Sequence, residues 1–340
     1  MPIERTPTLA RRRLFRATAT VGLAVAASQA APVARATPPG AATLLVPGPD
    51  NGAHERWSSR LAASLERNAV TAAIPVERKV LGGSDGVTAA NRFAALVEPD
   101  GRTLLVLSGG AAHARLVGDP RARFETAGWL PVCAAEGMAV VAGRADGAAP
   151  GGAIRIALPG AESPAAAAVC ALGMMGVEAS PVVGLGPLQA EAALAEGSVD
   201  AVLLHGPDVP ARLAALQARP WFTLDAAGAR DAALPGVPCM SELVSGPTVL
   251  RVAAQAAAAA ARLHAALVLP ALTPADRVAL WRGAAGRWLD EEARPAAAAG
   301  MRVLSGAEAA PLLSAALAPP PEAALAYRDW LLRRLNWRAA

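Results

Sequence analysis

Three of the four histidines, His54, His113 and His205, each stand just after a run that reads as a β-strand. A neutral imidazole can donate to a carboxylate or accept from a hydroxyl, and a bound acid favours its protonated form. The competing reading makes each a turn or helix-start residue facing solvent. A third makes them transition-metal ligands, which demands three or four converging donors, and no H-E-x-x-H or comparable spacing supports it. Ser108 and Ser163 lie in glycine-containing loops before helices, where a hydroxyl either caps the helix or reaches a ligand. Asp50 and Asn51 are turn formers or ligand contacts, because both types tolerate left-handed backbone. Gly109, Gly110, Gly184 and Gly186 permit close backbone approach, with simple turn geometry as the alternative. Gly52, Ala53 and Ala161 share these loops and complete the candidate set.

The elements that must position these residues repeat one pattern: a short apolar strand, a turn of Gly, Pro or Ser, then an alanine-rich helix. Strand 42–47 precedes a helix over 53–67 whose apolar Trp57, Leu61 and Leu65 are four apart. Strand 103–107 precedes a helix ending near Leu116, and strand 153–158 precedes a helix over 164–175. The stretch 182–186 leads into a helix over 187–196, followed by strand 199–204. Both later helices open on proline, which suits a first turn that needs no N–H. Alternating strands and helices predict an α/β fold with mostly parallel sheets, in two lobes separated near 144–152. In open α/β sheets a ligand lies beyond the carboxyl ends of the strands. Helices starting there aim unpaired N–H groups and the positive dipole end into the crevice, making an anion site without a charged side chain. Two further helices, over 270–289 and 321–335, are expected to pack the first lobe.

Residues 1–36 read as an export signal. Arg11-Arg12-Arg13 precedes an apolar stretch over 17–27 and small residues ending in Ala34-Arg35-Ala36. The run 10–16 fits the twin-arginine pattern, and general secretion needs only the basic segment. No later segment offers the roughly 20 uninterrupted apolar residues of a membrane span, since Arg251, Arg262 and His264 flank the alanine run. The signal holds six of the 32 basic residues and one of the 28 acidic ones, which leaves a net charge of −1. A basic nucleic-acid footprint does not survive its removal. Cys133, Cys170 and Cys239 stand singly in apolar surroundings. They read as buried thiols, or as one disulfide and a leftover thiol in an oxidising compartment.

The order of turns resembles the Bug, or TctC, family, the extracytoplasmic receptors of tripartite tricarboxylate transporters. Val46-Pro47-Gly48-Pro49-Asp50-Asn51-Gly52 is similar to the family's opening strand and loop, and Glu98-Pro99-Asp100-Gly101-Arg102-Thr103-Leu104-Leu105 to its Pro-Asp-Gly-Tyr-Thr-Leu signature. Leu107-Ser108-Gly109, Trp129-Leu130-Pro131-Val132, the 182–186 stretch, Gly197-Ser198-Val199-Asp200-Ala201-Val202 and the 234–242 stretch follow in the family's order. The resemblance implies a type II periplasmic-binding-protein fold, with lobe 1 from 37–142 and 245–340, lobe 2 from 143–244, and a cleft between them. It also implies a small carboxylate ligand held largely by backbone amides, hydroxyls and water, and a monomer that serves the membrane permease subunits of a tripartite transporter.

Departures from the family pattern fall at the ligand loops. Asn51-Gly52-Ala53-His54-Glu55 replaces Gly-Gly-x-x-Asp, and Ser59 stands where an arginine is expected by an ungapped count. The family's middle-lobe acid falls near Leu204 or His205, and the alanine-rich stretch 251–263 replaces a shorter connection. Two further readings share the fold: a periplasmic sensor or scaffold, and a metal receptor. Enzyme signatures are missing. Ser108 lacks the glycine two residues earlier that defines a nucleophile elbow. Gly184-Leu185-Gly186-Pro187 lacks the last glycine of a dinucleotide fingerprint, and no Gly-Lys-Ser/Thr phosphate loop exists. No cofactor is called for.

Overall fold

The computed structural model describes residues 40–50, 52–68, 74–144, 152–226, 228 and 230–338. The export segment 1–36, Asn51 and most of the expected boundary at 144–152 lie outside them. Strand β1 (Ala42–Pro47) runs into helix α1 (Ala53–Asn68), on which Trp57, Leu61 and Leu65 are buried as their spacing predicts. Then come β2 (Val76–Leu81), α2 (Val87–Leu96), β3 (Thr103–Ser108), α3 (Gly109–Leu116) and the long β4 (Leu130–Gly143). A second set follows: β5 (Ile154–Leu158), α4 (Ala166–Met174), β6 (Ala179–Val183), α5 (Pro187–Glu196), β7 (Ala201–Gly206), α6 (Val209–Ala215) and β8 (Arg219–Thr223). The chain closes with α7 (Met240–Leu243), α8 (Thr248–Arg262), β9 (Leu263–Leu269), α9 (Ala275–Ala298), β10 (Met301–Ser305), α10 (Gly306–Leu317) and α11 (Pro321–Leu335).

The strands are ordered β2-β1-β3-β9-β4-β7-β5-β6, with β10 and β8 also pairing β4. Pairing is parallel in the outer groups, β2-β1-β3 and β6-β5-β7, where helices join successive strands. Around β4 it is antiparallel. That strand is long enough to serve both groups: Leu130–Glu136 pairs with β9, and Met138–Gly143 pairs with β7. Gly137 marks the changeover, where an added Cβ would come within 3.0 Å of Gly206.

Helix α9 packs on the first group of strands, with Trp281 and Trp288 in one cluster with α1 and β1. Buried Trp281 donates from Nε1 to Gly101 O at 2.8 Å. Helix α11 goes elsewhere than expected. Its Ala323, Tyr327, Trp330 and Leu331 join α4 and α8 in a different cluster.

The alanine-rich stretch is α8, which buries eight alanines between 253 and 261. Small side chains let neighbouring backbones approach the helix closely, while Thr248, Arg251 and Gln255 mark its polar side. Ala253, Ala254, Ala256, Ala257, Ala258 and Ala261 pack with α4, β7 and α11, whereas Ala259 and Ala260 pack with α2, α3 and α10. One helix thus belongs to the cores of both strand groups, and the described residues cluster as one unit.

Helix α10 starts with a capping box: Ser305 Oγ accepts from Glu308 N at 3.3 Å while Glu308 Oε2 accepts from Ser305 N at 2.9 Å. Ser305→Ala is expected to cost about 1 kcal/mol in urea unfolding. An unchanged midpoint would mean that solvent caps this end as well as the side chains do.

Candidate functional site

Three histidines meet where the two strand groups join. His54 is the second residue of α1, delivered there by β1 and the turn after it. That turn contains a cis Gly48-Pro49 bond and a Gly52 N to Pro49 O hydrogen bond. His264 is the second residue of β9, beside Ala265, whose register partner is Ser108 at the carboxyl end of β3. His205, near the carboxyl end of β7, is in register with Ala139 of β4. The rings of His54 and His264 stack with centroids 5.5 Å apart and planes 21° apart. His54 Nε2 lies 3.1 Å from His264 O. A carbonyl only accepts, so Nε2 carries the proton and Nδ1 of the neutral ring is left as an acceptor.

Burial lowers all three. Burial pushes His264 down to about 3, helped by the positive charge that His54, His205, Arg60 and Arg56 carry or would carry. Burial pushes His205 down to about 4, with Arg212 adding to it, and lowers His54 against its bond to His264 O. Each imidazole is half-buried, and His205 and His264 also stand near arginines. Such a place is hostile to an imidazolium and receptive to an anion.

His113 is not part of this group. It is fully buried, 0% exposed, with Nδ1 2.7 Å from Glu162 O and Nε2 3.3 Å from Tyr327 Oη. Nδ1–H donates to the carbonyl and Nε2 accepts from the phenol, so the neutral ring is satisfied by the chain itself. Burial holds it down to about 4.

The α3 opening is also taken up internally. Ser108, 1% exposed, donates to Asp85 O and accepts from Ala111 N, so it caps the helix. Gly109 is buried against the last turn of α8, where an added Cβ would lie 2.0 Å from Ala260 O and 2.4 Å from Leu263 O. At Gly110 it would lie 3.0 Å from Asp85 O. The carbonyl end of α8 therefore meets the amide end of α3, opposite dipole ends in contact. An anion was expected there from the sequence. The end of α8 packs against that opening.

The other nominated residues are more open. Asp50 and Ala53 are exposed, Gly52 half-buried, and Asn51 outside the described residues. Ala161 and Ser163 are half-buried, with Ser163 Oγ accepting from Ala165 N at 3.2 Å. Gly184 is exposed with φ 94°. Gly186, half-buried, donates to Gln189 Oε1 at 2.9 Å, which begins α5.

None of them lines a cavity of about 710 Å³ that opens beside Glu136, Met138, Asp225, Arg262, Arg302 and Leu312. Glu136 pairs there with Arg262 and, at 3.7 Å, with Arg302. Burial raises the Asp225 carboxyl. Cys133, Cys170 and Cys239 are all free and buried, and burial pushes the Cys170 thiol up to about 12. Among the described residues no group of three or more His, Cys, Asp or Glu is placed to hold a metal ion.

Sequence reasoning passed over His264, Arg56 and Arg60. Nothing local marks His264, which stands between an alanine run and an apolar strand. It is the antiparallel pairing of β9 with β3 that brings it to His54, 210 positions away.

No protein-family model matches the sequence, and no curated protein matches it significantly. Solved structures do match. A TctC solute-binding protein from Polaromonas superposes with a TM-score of 0.63 at 16% identity, over 86% of this chain and 98% of that one. MatC from Rhodopseudomonas palustris, with bound malate, gives 0.55 at 22% identity over 85% and 98%. A second Rhodopseudomonas palustris protein, with adipate, gives 0.58 at 18% identity over 87% and 97%. The fold is that of the TctC-type solute-binding proteins. Within it, the histidine group lies at the carboxyl ends of β1 and β7 and at the start of β9 beside the carboxyl end of β3. No helix among the described residues is long and apolar enough to cross a membrane.

Proposed function

We propose that the chain is an exported receptor that captures a small carboxylate without turnover and delivers it to the membrane permease subunits of a tripartite tricarboxylate-type transporter. The observation that carries the reading is the meeting of His54, His205 and His264 from both strand groups at the carboxyl edge of the sheet. Ligands of open α/β folds lie at this edge. Support comes also from the malate and adipate held by two proteins of the same fold. In this reading segments 37–142 and 245–340 form lobe 1 and 143–244 forms lobe 2, with α8 spanning them, and residues 1–36 direct export. His54 and His205 contact the ligand. Asp50, Asn51, Gly52, Ala53, Ala161, Ser163, Gly184 and Gly186 supply the rim of the site, the protein works as a monomer, and no cofactor takes part.

Isothermal titration of the chain lacking residues 1–36 against malate, adipate, citrate, amino acids and aromatic acids tests this. Saturable one-to-one binding of at least one acid is expected, with the acid recovered unchanged by NMR. Silence across the whole panel together with hydrolysis of an ester or amide would replace the receptor with an enzyme.

A further inference from the structure

The histidine group is built unlike a plain anion site. His54 and His264 are stacked, His205 lies close enough to His264 to act on its charge, and all three are half-buried with no carboxylate bonded to any of them among the described contacts. On the reading that this is the receptor's ligand site, we propose that His264, His54 and His205 form one anion seat that takes up a proton as it fills, with His264 at its centre, so that capture of a dicarboxylate strengthens as pH falls.

The charged groups around it define the coupling. Helix α1 contributes His54, Arg56 and Arg60, and β7 contributes His205. Helix α6 contributes Arg212, which donates to His205 O at 2.9 Å and pairs with Glu191 of α5 at 2.6 Å. Helix α9 contributes Glu292, which holds Arg60 at 2.7 Å. Glu55 of α1 pairs with Arg78 of β2, and Glu136 of β4 with Arg262 next to β9. The nearby carboxylates are thus engaged with arginines, and the imidazoles stand among positive neighbours. Burial lowers all three rings, and positive neighbours add to it at His205 and His264. A bound carboxylate reverses the sign of the local field and accepts a hydrogen bond from whichever ring nitrogen gains the proton. The filled seat therefore binds protons more tightly than the empty one. By linkage it binds its anion more tightly when protons are plentiful. Stacking makes the uptake a property of the group: one imidazolium discourages a second 5.5 Å away. The stoichiometry should approach a single proton.

Malate and adipate are the probes, titrated calorimetrically from pH 8 to pH 6, a range in which their own carboxyl groups stay largely ionised. Each titration is run in two buffers of unequal ionisation enthalpy. The wild-type chain should bind about three- to tenfold more tightly per unit fall in pH, up to the tenfold limit for one proton. The buffer difference should report uptake of up to one proton per ligand. His264→Asn should bind more weakly than the wild type at pH 6, with an affinity nearly independent of pH and with most of the uptake lost. Circular dichroism at each pH checks that the chain stays folded, and the wild-type buffer comparison stands even if the variant does not fold. Binding with the same affinity at every pH and no buffer dependence overturns the proton-coupled seat while leaving the receptor intact. Absence of binding to any acid at any pH overturns both.

Discussion

Gly109→Ala should lower the stability of the chain by about 3 kcal/mol or more, the upper part of the range for overpacking a filled interior. The added methyl would stand 2.0 Å from Ala260 O and 2.4 Å from Leu263 O. Both are backbone atoms at the end of a helix whose buried alanines already touch α3, α4, α10 and α11. A flexible side chain could turn aside, but a carbonyl at the end of a packed helix moves only if the helix moves. Gly283→Ala, in α9, is the control. Nothing lies within 4 Å of its added methyl, and the exchange should stabilise by up to about 1 kcal/mol by restricting the unfolded chain. Urea unfolding of the two variants side by side decides the matter. Equal midpoints would mean that α8 does not seat against α3.

Acid should destabilise the chain well before its carboxylates begin to protonate. Buried His113 is held down to about 4 from its ordinary 6.5, so between those values the unfolded chain takes a proton that the folded chain refuses. Its contribution is whole above pH 6.5, shrinks as pH falls, and is gone below about pH 4. The slope is up to about 1.4 kcal/mol per pH unit, or about 3 kcal/mol over the window. His205, also held to about 4, and His264, held to about 3, act in the same direction. Carboxylates whose partners hold them low, such as Asp119 and Asp200, add their own loss only at lower pH. The urea midpoint should drop steeply from pH 7 to pH 5. His113→Gln, which cannot titrate, should be less stable at pH 7 and show a shallower slope. A midpoint that stays level over this interval would mean that the histidines are solvated in the folded chain. Ligand should oppose the drop, because binding to the folded state alone raises apparent stability.

Gly109 and His113 both lie on α3, where local pattern fixes the helix but not its partners. The 3.6-residue spacing of Trp57, Leu61 and Leu65 and the proline at the head of α5 were enough to place α1 and α5, because both signals act within a few residues. The turns of the resemblance were likewise enough for the fold, since each strand-turn-helix unit is a local object and their order restricts the topology. Partners were harder to read. Ser108 fits an N-cap and a ligand contact equally well in sequence, and the choice fell to Asp85 and Ala111. His113 reads like His54 and His205, each following a strand. The inward side of α3 took it to Glu162 and Tyr327, 49 and 214 positions away.

By itself the amino-acid sequence determined the α/β class, the succession of strand-loop-helix units, the carboxyl-edge placement of His54 and His205, and the want of any nucleotide or nucleophile motif. These follow from backbone propensity and apolar spacing, forces that act over a turn or two of chain. Tertiary structure alone decided that His264 completes the histidine group, that α8 closes the mouth of α3, and that α11 leaves the first strand group for α4. Each outcome depends on which distant surfaces bury one another. That is settled by packing density and antiparallel register across the whole fold, and no window of sequence carries it.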